Sequence, residues 1–197
     1  MLKTLEITKE VYQRDLKFLD TQTLRGLTGI KKDNTLLVLI NSLIKKRVLR
    51  RIEKGKYLVV GKSIDDFALA NFLYQPSYVS LESALNLFGI LSQFPYEITS
   101  VTPKRKREKR VGGKIFVYFH TSPRLFWGFE KRNGLLIAFP EKALLDTVYL
   151  MSKGIRRVDL EELDLNRIDK KRIKEFAARY RKNRQFLKFY NLLEKQL

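Results

Sequence analysis

Apolar positions in the first sixty residues recur at helical spacing in three short stretches and then switch to strand-like runs. Over residues 7–20, Val11, Leu16, Phe18 and Leu19 form a short, imperfect helical pattern. Residues 21–28 predict a second helix, with Leu24 and Leu27 inward and Gly29 ending it. Asn34 is a good N-cap for a third helix over 35–46. On it Leu36, Ile40, Leu43 and Ile44 make one apolar stripe, with Leu37 alongside. The opposite face holds Thr35, Val38, Asn41, Ser42 and Lys45, and Lys31 and Lys32 lie just before it. That face is uncharged in its middle and basic at both ends. A merely solvated face more often alternates Glu with Lys. Two strand-like runs follow over 48–60, around a turn with Gly55, and carry Arg50, Arg51, Lys54 and Lys56.

Three small helices and a basic hairpin are the order of a winged helix-turn-helix. In that reading the third helix enters the major groove and the hairpin cations reach adjacent phosphates. The plainer alternative is a small helical subdomain with a solvated basic surface.

The remainder alternates helices and strands. Residues 67–73 predict a linking helix, and Ser80 caps another that runs to Phe88, with Gly89 closing it. Residues 96–102, 115–120 and 135–139 predict strands. Pro140 opens a core helix to Leu150 on which Leu144, Val148 and Met151 share a face. Glu141 favours that helix start, and Asp146 makes a local hydrogen bond. Residues 104–114 predict an exposed loop, because so many uncompensated cations cannot be buried. It is either a solvated hairpin tip or a phosphate or acidic-partner contact. From about residue 155 the chain predicts a helical, basic tail of three short amphipathic segments. The expected fold is therefore α+β: a winged helix-turn-helix over 1–62, then a mixed α/β C-terminal domain over 63–197.

Charge sharpens this picture. The 197 residues carry a formal net charge of +19, and it comes in blocks. Residues 1–62 hold +9, residues 63–103 have no Lys or Arg and stand at −4, residues 104–114 hold +6, and residues 153–197 hold +7. Basic blocks around a neutral centre point to a polyanionic partner. Outside the first sixty residues, Arg105, Lys106, Arg107, Lys109 and Arg110, and then Arg181 and Arg184, are candidate nucleic-acid contacts. A content of 44% hydrophobic residues supports a real core. The N-terminus lacks a signal-peptide apolar run, and no uncharged stretch reaches membrane-spanning length. A cytoplasmic protein with no membrane association is expected.

Catalysis finds little support. There is no cysteine, so thiolate chemistry and disulfides are excluded, and the single histidine is His120. No metal-ligand spacing, no Gly-rich phosphate loop and no cofactor signature occurs. Asp65, Asp66, Glu82, Glu97, Glu141 and Asp146 would be the acids of a carboxylate-dependent nuclease, a reading with nothing else behind it. No enzyme activity is expected.

Three segments, Tyr78-Val79-Ser80-Leu81-Glu82-Ser83-Ala84-Leu85, then residues 98–102, then Pro140-Glu141-Lys142-Ala143-Leu144-Leu145-Asp146, resemble the AbiEi family of antitoxins and transcriptional regulators. Residues 43–60, with Gly55-Lys56-Tyr57 inside, resemble that family's short winged helix. The resemblance implies an N-terminal domain that binds inverted repeats of duplex DNA in its own promoter. It also implies a C-terminal domain that counters a nucleotidyltransferase-like toxin without forming a stable complex. The length of the basic segment 104–114 departs from the family pattern, which does not settle its role, and the basic tail after Arg156 matches none of its motifs. A stand-alone winged-helix transcription factor and an RNA-binding module are the alternatives.

Overall fold

The computed structural model describes residues 2–180 and 183–197. It is a mixed α+β fold in two compact units, one ending at Asp65 and one from Asp66 to Leu197.

The first unit contains helices α1 (Leu2–Gln13), α2 (Thr21–Thr28) and α3 (Asp33–Lys45), and strands β1 (Phe18–Asp20), β2 (Leu49–Glu53) and β3 (Lys56–Val59). The strands form an antiparallel sheet in the order β1-β3-β2. Val11, Leu19, Leu24, Leu36, Ile40 and Leu43 from all three helices and β1 close one apolar core. The expected helical run over 7–20 is corrected here. Its last part is strand β1, paired to β3 through Leu19 and Tyr57. Three residues are too few to display a period of two, so the pattern read as a ragged helix. Asp15 at φ 51° breaks the chain between helix and strand.

Two local devices set the geometry of this unit. Arg25 on α2 donates to the carbonyls of Ile30 (3.2 Å) and Lys31 (2.6 Å) and pairs with Asp33, which fixes the turn into α3. Gly55 at φ 75° turns β2 into β3, and its carbonyl accepts from the Thr21 amide at 2.9 Å, tying the hairpin tip to the start of α2.

The second unit contains α4 (Asp66–Leu73), β4 (Tyr78–Val79), α5 (Leu81–Leu87), β5 (Glu97–Thr102), β6 (Arg107–Val111), β7 (Lys114–His120), β8 (Phe129–Arg132), β9 (Leu135–Ala138) and α6 (Pro140–Ser152). Short 3-10 turns then lead to α7 (Lys170–Ala177) and α8 (Arg184–Glu194). Six strands form one mixed sheet in the order β6-β7-β5-β4-β9-β8. Part of the expected loop 104–114 is instead edge strand β6, antiparallel to β7 across a Gly112-Gly113 turn. An edge strand has one open side, so cations can line it without burial, and they discourage pairing with another chain.

Helix α6 is buried at every position from Glu141 to Leu150 and packs against α5, α7 and α8. It carries a lysine and an aspartate one turn apart. The Lys142 ammonium and the Asp146 carboxylate pair directly, with side-chain exposures of 0% and 2%. Asp146 also accepts from Tyr78 and Ser80, each at 2.9 Å, and from Tyr180 at 3.3 Å. Lys142 donates to the Tyr78 hydroxyl at 2.9 Å, and its ammonium lies 5.3 Å from the centre of the Trp127 ring. The expected local hydrogen bond at Asp146 is thus corrected to a long-range hub. Ser80 does begin α5 as its N-cap, but its side chain makes no cap bond. Burial holds the Lys142 ammonium below its ordinary lysine value, and Asp146 opposes that shift. Burial, reinforced by the Asp146 charge, holds Tyr78 and Tyr180 well above the ordinary tyrosine value.

Removing the carboxylate leaves a buried, unanswered cation. Asp146→Ala is therefore expected to destabilise the second unit by about 3–5 kcal/mol in urea unfolding. Lys142→Met with Asp146→Leu recovers only part of that loss, because three hydroxyls still lack their acceptor. A single substitution that costs less than about 1 kcal/mol overturns the account.

The tyrosines predict an alkaline limit. Their folded values are raised, so their stabilising contribution is complete below about pH 10 and is lost as pH climbs toward the folded values. In an absorbance titration at alkaline pH, Tyr78 and Tyr180 should ionise only together with unfolding. Tyr180→Phe should remove one of these late-ionising groups. Rapid ionisation of all nine tyrosines in the folded protein would contradict this.

Candidate nucleic-acid interface

The core side of α3 is made by Leu36, Leu39, Ile40 and Leu43. Helical geometry then fixes the opposite line, one residue per turn or so: Asn34, Val38, Asn41 and Lys45, all exposed. Thr35 is exposed, Ser42 is half-buried, and both lie to one side of that line. They line an open groove of about 450 Å³ with Thr4, Ile30, Val38, Leu39 and Lys46. Leu37, expected beside the core stripe, is instead 51% exposed on the other flank. It follows Leu36 by 100° and rotates past the core. Lys31 and Lys32 are exposed at the entry to the helix.

Asn34 does not cap α3. The helix begins at Asp33, two residues before the expected start, and Lys32 holds the cap position without a side-chain bond. Asp33 is the first-turn acid that suits the helix dipole. Asn34 therefore stands in the first turn with its side chain on the outer line.

The β2–β3 hairpin carries the remaining predicted cations of this unit. Arg50, Arg51 and Lys54 are exposed. Arg51 donates to the Glu53 carbonyl at 3.4 Å, and the ladder shifts register between Arg51 and Glu53. Such a bulge re-aims side chains at a strand end. Lys56 is half-buried, with its ammonium 3.3 Å from Glu53. Nearby, Lys62 holds Asp15 at 2.6 Å and keeps that carboxyl below the usual carboxylate range.

Between helix and hairpin stands Arg47, which the sequence pattern did not single out. Helix α3 ends with the Arg47 amide on the Ile44 carbonyl and the Val48 amide on the Leu43 carbonyl, both at 2.9 Å. This pair of hydrogen bonds is the glycine-type helix ending, and its left-handed position is filled by Arg47 at φ 56°. A β-carbon there costs about 1 kcal/mol relative to glycine. The strain places an exposed guanidinium at the junction of α3 and the hairpin.

The second unit holds the other predicted cations. Arg105, Lys106, Arg107 and Arg110 are exposed along β6 and the approach to it. Lys106 lies 5.3 Å from the centre of the Phe119 ring, and Arg110 pairs with Glu108 at 2.9 Å. Lys109 is turned inward, donating to the Leu73 carbonyl at 2.7 Å. Arg184 is exposed at the first position of α8, and Arg181 lies outside the described residues. His120 is exposed, with Nδ1 2.9 Å from the Lys104 carbonyl. Among the described residues, no cluster of His, Cys, Asp or Glu is placed to hold a metal ion. Glu141 accepts from the Asp169 amide at 3.1 Å, and Glu82 and Glu97 pair with Arg156 at 2.8 and 3.3 Å. No described helix is long and apolar enough to cross a membrane.

The chain matches no protein-family model and no curated protein. Among solved structures it is similar to the crystal structure of the RV2827C protein from Mycobacterium tuberculosis, with a TM-score of 0.61 and 16% identity. That likeness covers 99% of this chain and 77% of that one, and it is a likeness of fold.

Arg47 gives a test that separates stability from binding. Arg47→Gly should stabilise the first unit by about 0.5–1 kcal/mol, since glycine adopts this conformation freely. If the cation serves a nucleic-acid surface, the same variant should bind duplex DNA more weakly and with a shallower salt dependence. A variant that is more stable and binds equally well would show that Arg47 has no part in the interface.

Proposed function

We propose that this chain is a DNA-binding transcriptional regulator of the AbiEi antitoxin kind. Its first unit works as a winged helix-turn-helix. Helix α3 reads base edges in the major groove, and the β2–β3 hairpin grips neighbouring phosphates. The observation that carries this reading is the outer line of α3. It is short-chained and uncharged at Val38 and Asn41, and is bounded by Lys31, Lys32 and Lys45. A surface that only needed solvation would have no reason to gather cations at both ends of a neutral strip. Arg47, Arg50, Arg51 and Lys54 then extend positive charge from the helix to the hairpin.

The antitoxin part rests on the resemblance in residues 78–85, 98–102 and 140–146. In this proposal the chain represses its own promoter at inverted repeats in the cytoplasm. Its second unit counters a nucleotidyltransferase-like toxin without a stable complex, a cofactor or catalysis. Tyr78, Ser80, Lys142 and Asp146 of the family-like segments meet in the buried cluster, so packing accounts for their identity. Countering the toxin would then fall to the exposed surface. The cations around β6 favour an RNA contact as a second reading.

The test is selection of bound sequences by the full chain from a random duplex library, followed by anisotropy titrations from 50 to 200 mM salt. One duplex family should be enriched. Arg50→Gln or Arg51→Gln should each lower the salt slope of log K by about 0.9 per lost phosphate contact. No enriched duplex, or tighter binding of a structured RNA of equal length, overturns the proposal.

A further inference from the structure

The outer line of α3 has an apolar residue at its centre. Val38 is 69% exposed, one turn beyond Asn34 and just short of Asn41, on the rim of the groove it shares with Ile30 and Leu39. Solvation favours a polar side chain there, and valine is a poor helix former. What valine does offer is two methyl groups held in a single preferred rotamer, so little freedom is lost when a surface closes on them. The floor of the DNA major groove presents donors and acceptors at every base pair and one apolar group, the 5-methyl of thymine.

Resting on the reading of α3 as the reader helix, we infer that Val38 recognises the 5-methyl group of a thymine. Asn41 lies on the same line and next along it, where its amide suits the N6 and N7 edge of an adenine in an adjoining pair. The bound element is then one in which a thymine and an adenine occupy neighbouring pairs beneath the middle of α3. The flanking lysines contact phosphate and carry no sequence preference. Leu37, 51% exposed on the flank of α3, keeps water from the rim of the same contact.

Deoxyuridine differs from thymidine only by that methyl. The experiment takes the duplex enriched by selection and replaces its thymines one at a time with deoxyuridine. Binding is measured for the native chain, Val38→Ala and Val38→Thr. One replacement should weaken native binding by roughly fourfold, the effect of one buried methyl. Val38→Ala should bind the two duplexes equally, and Val38→Thr, which keeps a methyl, should retain part of the preference. The salt slope should be the same for all three chains, because no phosphate contact changes. Since Val38 is exposed and alanine is the better helix former, the melting midpoint of Val38→Ala should be no lower than that of the native chain. If an enriched duplex binds but no deoxyuridine position matters, or if Val38→Ala keeps the native preference, the inference fails while the DNA-binding reading stands. If no duplex is enriched, both fall together.

Discussion

A carboxylate in the middle of a buried helix has to be surrounded by donors, and the second unit is arranged around that demand. Asp146 takes hydrogen bonds from β4, from the start of α5 and from the tail, and faces Lys142 on its own helix. Tyr78 and Ser80 come from one segment, Tyr180 from the tail and Lys142 from the same helix. The sheet, the central helix and the tail therefore hold one relative position, since moving any of them leaves a buried charge unpaired. Gly128 shows how closely the surroundings fit: a β-carbon there would come within 2.9 Å of the Lys142 side chain. The cluster is fully enclosed, and its chemistry is spent on holding the fold.

The same rule, that charge is buried only when answered, explains the outside of the molecule. Of the many cations, Lys142 has an answering partner inside the core, and the exposed lysines and arginines gather in segments. The edge strand β6 tolerates several because one of its sides stays in water. Lys109 shows the limit of that tolerance, since it turns in where the Leu73 carbonyl accepts a hydrogen bond from its ammonium. In the first unit the cations instead surround a neutral strip on α3, and the unit spends backbone strain at Arg47 to put another beside them. A protein so charged repels its own copies and attracts polyanions. A neutral strip inside a positive rim is the arrangement that lets a surface first meet a polyanion and then sense something other than charge.

The periodic elements were legible. Helix α3 and its core stripe, the hairpin with Gly55, and α6 all follow from local pattern and turn chemistry. The errors fall where local and long-range demands compete. Leu37 continued the apolar run but rotates out of the core. Asn34 has the chemistry of a cap, yet Arg25 draws Asp33 into the turn and the helix starts there. Strand β1 exists because β3 is available to pair with it, and nothing within three residues announces that. In β6 the density of charge hid a strand that only its neighbour β7 makes possible.

The amino-acid sequence by itself determined the segregation of charge, the periodic helices, the absence of thiol chemistry and the neutral, cation-bounded face of the third helix. Those are properties of composition and of neighbours within a few turns. Tertiary structure decided which of these side chains meet. Lys142 and Asp146 are visible in the sequence as a pair one turn apart, but Tyr78 and Tyr180 stand 68 and 34 residues from that aspartate. No local rule brings them to it. It also set Arg47 in a left-handed backbone, where the Arg47 and Val48 amides close the end of α3 on the Ile44 and Leu43 carbonyls before β2 begins. Local chemistry limits what each residue can do, and the folded packing selects which of those possibilities is realised.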